Sequence, residues 1–77
     1  MTRAIVLVNV EGGTEDEVLS KIKTISAVEE ANVSYGIYDL VINVKANTMH
    51  ELQEVITSQI RQIKNVQATL SLLLVED

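Results

Sequence analysis

Residues 4–10 read Ala-Ile-Val-Leu-Val-Asn-Val, and residues 41–44, which lie 34 positions after residues 7–10, read Val-Ile-Asn-Val. Both segments are apolar and rich in β-branched side chains, a pattern that predicts buried strands. The echo continues past the strands, because Thr14 and Glu17 recur as Thr48 and Glu51. Each half of the chain therefore predicts a strand, a loop, a capped helix and a second strand.

Local signals set the expected boundaries of these elements. A threonine followed three residues later by glutamate is a capping box, in which each side chain bonds the other residue's backbone amide. Apolar residues at helical spacing then predict helices over about 15–27 and 49–64. Asn65 suits the left-handed conformation that ends a helix. The predicted strands are 4–10, 33–38, 40–45 and 67–75, with 28–32 as a connection and a tight hairpin between the middle strands.

The order βαββαβ predicts the fold class. Right-handed crossovers place both helices on one face of a four-stranded antiparallel sheet. The expectation is a ferredoxin-like α+β fold, formed by residues 1–77 as a single domain.

Two helices cover only one face of such a sheet. Strands 1 and 4 nevertheless carry apolar residues on both faces, with Leu70, Leu72 and Leu74 alternating against Leu73 and Val75. The second face would leave more apolar surface in water than a monomer usually tolerates. A second copy of the chain is the expected cover, so the alternation predicts a symmetric homodimer.

Composition excludes several functional classes. The net charge of −5 and the absence of a basic cluster argue against direct DNA binding. The chain lacks cysteine and has one histidine, His50, so we expect no metal site and no cofactor. The longest unbroken apolar run, residues 4–8, is far shorter than the ~20 residues of a membrane span, and no signal peptide is evident. A cytoplasmic location is expected by default.

No catalytic constellation is visible, and we expect no enzyme. Gly12-Gly13 lacks the lysine of a phosphate-binding loop, and His50 has no evident partner. The informative segment is residues 34–40, Ser-Tyr-Gly-Ile-Tyr-Asp-Leu. Amides beside Gly36 could hold a carboxylate, and Asp39 could hold an ammonium, so the pair could grip an amino acid. From chemistry alone, an ordinary hairpin with a glycine bulge is preferred.

Residues 36–40, Gly-Ile-Tyr-Asp-Leu, resemble the G-x-Y-D-L segment of the Lrp/AsnC family of leucine- and asparagine-responsive regulators. Glu51-Leu52, then Ile60 to Ile63, then Val66 to Ser71 are similar to the later motifs of that family. The resemblance covers essentially the whole chain and implies its effector-binding RAM domain. The family's helix-turn-helix domain has no counterpart here, so the chain resembles the stand-alone type, and any DNA role would come through a partner.

The resemblance also implies a mode of assembly and a binding site. Dimers would form through the sheets and associate into a ring such as an octamer, with a free amino acid or similar small effector bound between dimers. Gly36, Tyr38 and Asp39 would line the site. Thr69 and Ser71 would add hydroxyls, in one arrangement from a neighbouring subunit.

Three alternatives remain open. An ACT-like amino-acid-binding domain shares the element order, although it would pair by sheet edges and leave the second apolar face unexplained. A small enzyme of the dimeric α/β-barrel type would need a catalytic cluster between sheet and helices. A module that assembles without any ligand would need only the apolar face.

Overall fold

The computed structural model describes residues 2–74, which form one four-stranded antiparallel sheet with the helices on one face. The strands are β1 (Thr2–Val10), β2 (Val28–Val33), β3 (Leu40–Ala46) and β4 (Val66–Leu74), and the first two helical segments are α1 (Glu15–Ile22) and α2 (Met49–Glu54). Spatial strand order is β2-β3-β1-β4. The ferredoxin-like prediction is confirmed. Val75, the predicted end of the last strand, lies outside the described residues.

The core lies between the helices and one face of the sheet. Alternate residues of β1 and β3 point into it and are fully buried, and α1 and α2 cover them with an apolar stripe. This alternation follows from the two-residue period of a strand. The largest fully buried side chains are Ile22, Leu40, Ile42, Leu52 and Ile60.

The second strand lies earlier in the chain than predicted. β2 occupies Val28–Val33, where the sequence predicts a connection over 28–32, and residues 34–39 form a loop where it predicts a strand over 33–38. Only Ala31 of β2 is buried, because β2 is an edge strand that contributes little to the core. Polar side chains are tolerated on such an edge, so the Glu29-Glu30 pair does not prevent strand formation.

The first helix is shorter than predicted, and its capping box is absent. α1 ends at Ile22 instead of near residue 27. The hydroxyl of Thr14 donates to the carbonyl oxygen of Glu11 at 2.6 Å, so it does not accept the amide of Glu17. The turn at Glu11 therefore uses the hydroxyl that the capping box would have required.

The second capping box forms in part. The amide of Glu51 donates to the hydroxyl of Thr48 at 3.1 Å, while the carboxylate of Glu51 accepts from the amide of Asn47 instead of that of Thr48. α2 then widens into a π-helical segment over Val55–Ile60, so the helical run ends at residue 60 instead of 64. Asn65 adopts the predicted left-handed conformation, with φ of 77°.

The other face of the sheet is uncovered within the chain. Strand register places Ile5 beside Leu72 and Leu7 between Val41 and Leu70 on this face. Leu70, Leu72 and Leu74 are each more than two-fifths exposed. We call this surface the open face; it comprises Ile5, Leu7, Val41, Leu70, Leu72 and Leu74.

Candidate functional site

The loop of residues 34–39 connects β2 to β3 and is fixed at its end by Asp39. The amide of Asp39 donates to the carbonyl of Val8 at 3.0 Å, and its carbonyl accepts from the amide of Ser34 at 2.7 Å. Its carboxylate oxygen Oδ2 accepts from the amide of Val10 at 2.9 Å. Two hydrogen bonds of Asp39 therefore attach the loop to the carboxyl end of β1, and the third, from Ser34, joins the two ends of the loop.

The remainder of this loop is open to solvent. Within residues 2–74, the amides of residues 35–38 make no hydrogen bond to the backbone. Tyr35 is 97% exposed and Ile37 is 87% exposed, whereas Tyr38 is half-buried. A side chain added at Gly36 would meet no atom within 4 Å. The predicted strand bulge at Gly36 is therefore wrong, and the glycine instead lies in an accessible loop.

Thr69 and Ser71 lie elsewhere in the molecule. Both are on β4, opposite Val8 and Val6, so their side chains share the helix-facing side of the sheet. There they line a groove of about 700 Å³ between β4 and the π-helical segment. None of the loop residues 34–39 lines this groove. Within one chain the predicted site residues therefore form two separate groups. Gly36, Tyr38 and Asp39 lie together in the loop, and Thr69 and Ser71 lie together on β4.

Charged side chains flank one end of the open face. Glu29 accepts from Arg3 at 3.1 Å and lies 3.5 Å from the ammonium of Lys45. The hydrogen bond from Arg3 has the largest effect and lowers the pKa of Glu29 below its ordinary value of 4.5. Desolvation opposes this shift of the pKa, while the charges of Arg3 and Lys45 add to it. These three side chains are partly exposed and their contacts are accounted for as surface ion pairs, so we assign the cluster no chemistry.

The described part of the chain offers no evident metal centre. Residues 2–74 contain no group of three or more histidine, aspartate or glutamate side chains that could hold an ion. His50 is exposed in the first turn of α2. None of the helices formed by these residues is long and apolar enough to cross a membrane.

A model of one protein family, the Lrp/AsnC ligand binding domain, matches residues 3–77. This chain belongs to the Lrp/AsnC family. The crystal structure of FFRP-DM1 is 35% identical, with a TM-score of 0.93 over 97% of this chain and 100% of that one. Protein PHS023 from Pyrococcus horikoshii is 34% identical, with a TM-score of 0.93 over 100% of this chain and 93% of that one.

The fold is also similar to that of the transcriptional regulator NMB0573 from Neisseria meningitidis, whose crystal structure is of a complex with L-Met. It is 13% identical, with a TM-score of 0.85 over 99% of this chain and 51% of that one, so the likeness is one of fold. No protein of curated function matches the chain significantly.

Sequence reasoning did not identify the polar residues on the helical side of the groove. Gln53, Thr57 and Arg61 face Thr69 and Ser71 across it. Their spacing of four residues is a helical signal, but it predicts only a polar helix face. The facing strand is distant in sequence, and the local pattern does not show which helix face it meets.

Proposed function

We propose that this Lrp/AsnC domain is a regulatory module that senses a free amino acid or a close relative and assembles through dimers into higher oligomers. The observation that carries the proposal is the loop of residues 34–39. Asp39 fixes its position, while the amides of residues 35–38 have no backbone partner within residues 2–74. Backbone donors without partners are available to the carboxylate of a ligand, and the Asp39 anchor holds one end of the loop in place.

The loop matches both charged groups of an amino acid. Backbone amides bind carboxylates well, and the absence of a side chain at Gly36 allows a ligand to approach the backbone closely. Asp39 uses Oδ2 to accept from Val10. A carboxylate has about four acceptor positions, so Oδ1 of Asp39 can still receive an ammonium. In this proposal the half-buried ring of Tyr38 forms the wall of the site.

Thr69 and Ser71 complete the proposed site from a neighbouring copy. In a single chain β1 lies between β4, which carries the hydroxyls, and β3, which follows the loop that ends at Asp39. Association of dimers into a ring such as an octamer would bring the loop of one copy to the groove of another. The complex of NMB0573 with L-Met offers support by analogy of fold.

The open face supports the homodimer. Three leucines that are each more than two-fifths exposed lie side by side with Ile5 and Leu7 on one surface. An uncovered apolar sheet face is an association surface, and an isologous contact covers it with the same face of a second copy.

The proposed role is binding, without catalysis, and any effect on transcription would pass through a partner. The net charge of −5 opposes direct binding to DNA, whose phosphates require clustered lysine and arginine. A cytoplasmic location is part of the proposal. The alternative is a module that assembles without binding a ligand. It is supported by the open face, which favours self-association whether or not the loop binds an amino acid.

The test is a thermal-shift screen of the twenty amino acids on the wild-type protein, with molecular mass measured alongside. A ligand specific for the folded state raises the midpoint in proportion to the logarithm of its concentration. Calorimetry then measures the affinity of the best ligand. If no amino acid binds at millimolar concentration, sensing is refuted and the assembly-only alternative is favoured.

Two substitutions of Asp39 separate ligand binding from loop anchoring. Asp39→Asn keeps an acceptor for the amide of Val10 but removes the charge that would hold an ammonium. We expect it to remain folded and to weaken binding by about 1.5–3 kcal/mol, the scale of a hydrogen bond to a charged group. Asp39→Ala should also loosen the loop. Unchanged affinity in Asp39→Asn would locate the site elsewhere.

A further inference from the structure

The groove between β4 and the π-helical segment has a charge that differs in sign from the rest of the chain. Its ten lining residues include Arg61 and no aspartate or glutamate, although the chain carries 11 acidic and six basic residues. The acidic residue next to the groove, Glu54, accepts from the hydroxyl of Ser58 at 3.3 Å and does not line it. Among the ten lining residues, the one formal charge is therefore the positive charge of Arg61.

Arg61 is available to a ligand. Among residues 2–74 its guanidinium has no carboxylate partner, and its side chain is exposed. Its backbone is fixed, because its amide donates to the carbonyl of Ile56 at 3.0 Å across the wide turn that ends the π-helical segment. A guanidinium presents a planar fork of donors that fits a carboxylate in a bidentate arrangement.

The opposite wall provides hydroxyl donors and an apolar surface. Thr69 and Ser71 are half-buried, and their hydroxyls make no hydrogen bond within residues 2–74. Ile56, Val66 and Leu73 also line the groove. Methylene groups that lead to a carboxylate could pack on these side chains while the carboxylate meets Arg61.

We propose that Arg61, with Thr69 and Ser71, receives a carboxylate side chain, so that the preferred effector is an acidic amino acid. This inference rests on the proposed function, in which the zwitterionic end of an amino acid binds the loop of one copy. The side chain of that amino acid would then enter the groove of a neighbouring copy. The net charge of −5 does not prevent this, since charges beyond about 8 Å are largely screened at physiological salt.

The test compares acids with their amides, which have nearly the same shape. Isothermal titration of the wild-type oligomer with glutamate, glutamine, aspartate and asparagine should give a preference of about tenfold for at least one acid over its amide. Arg61→Gln should abolish that preference, and Arg61→Lys should retain part of it. Lys64→Gln removes the same charge from an exposed residue that does not line the groove, and it should leave the preference unchanged.

The results separate the two proposals. If an amino acid binds but no acid is preferred over its amide, acid selection is wrong and amino-acid sensing survives. Equal weakening of glutamate binding by Arg61→Gln and Lys64→Gln would also overturn it, because the effect would then be one of net charge. If none of the twenty amino acids binds, sensing and acid selection both fail.

Discussion

The two faces of the sheet carry similar apolar side chains but differ in what covers them. On the face toward the helices, Val6, Val8, Ile42 and Val44 are completely buried. On the open face, Leu70 and Leu72 each remain 45% exposed. The chain therefore covers one apolar face with its own helices and presents the other to a partner.

This difference shows how one alternating pattern can specify both a core and an association surface. A strand that is apolar at every position loses the polar–apolar alternation that would identify a solvent face. Full burial stabilises a leucine by about 1.5–3 kcal/mol relative to full exposure, so each half-exposed leucine on the open face would gain part of that on association. Substitutions on the helix-covered face should consequently lower the free energy of unfolding, whereas substitutions on the open face should change the molecular mass of the assembly.

The largest effect is expected from the helix-covered face. Ile42→Ala removes a fully buried side chain, and it should lower the free energy of unfolding by about 2–5 kcal/mol. That is a large part of the stability of a small domain. Urea denaturation measures the change. Val41→Ala, one residue away on the open face, is the matched control and should cost much less; similar costs would contradict the comparison.

A charge on the open face should act on assembly. Leu72→Asp places a carboxylate in the surface proposed to pair with a second copy, where an unpaired charge costs several kcal/mol. We expect dissociation, observed as a fall in molecular mass by light scattering, or unfolding if the monomer is unstable. Leu73→Asp is the control for the dimer contact, because Leu73 is equally apolar and similarly exposed, at 41%, but lies toward the helices and lines the groove. This variant should keep at least the mass of a dimer.

These two variants decide whether the open face is an interface. If Leu72→Asp keeps the wild-type mass and stability, assembly does not use this face. If Leu73→Asp dissociates the protein to monomers and Leu72→Asp does not, the dimer contact lies along the β4 groove instead.

The smallest effect is expected at the edge of the open face, from Glu29. Its pKa is lowered, chiefly by the hydrogen bond from Arg3, so its contribution to stability is present above the unfolded-state pKa, near pH 4.5. That contribution is lost as the pH falls through the lower folded-state pKa. Glu29→Gln should make thermal stability less dependent on pH in this acidic range. Glu30→Gln is the neighbouring control, since Glu30 accepts from Asn32 within β2; equal pH profiles for the two variants would contradict the assignment.

Much of the fold could be predicted because its signals are local. The apolar runs of β1 and β3, Thr48 as a cap and Asn65 as a left-handed terminator are each visible within a few residues. β2 was misplaced because its partners are not local: Glu29 is accommodated by Arg3 and Lys45 on other strands. The apolar and aromatic residues at 35–38 fit the local pattern of a strand. Their exposure depends on distant contacts, so it could not be predicted from the neighbouring sequence.

The candidate site was predictable only in part. The residues of the loop were identified by chemistry and by family resemblance, but the anchoring role of Asp39 depends on Val8 and Val10, which only the fold brings near. No signal in the sequence indicated that Arg61 lines a groove, because the strand that faces it is distant in the sequence and no local pattern marks the π-helical turn. Pairing between distant segments was the missing information in both cases.

The carboxyl end of β1 offers a way to observe both candidate regions at once. The amide of Val10 donates to Asp39 in the loop, and the next amide, that of Glu11, donates to the carbonyl of Asn65 at 3.0 Å, just before β4 begins. Two adjacent nitrogens therefore report on two segments that are distant in the sequence. In a ¹⁵N-labelled sample, the Val10 resonance would respond to events at the loop and the Glu11 resonance to events at the start of β4, without any introduced label.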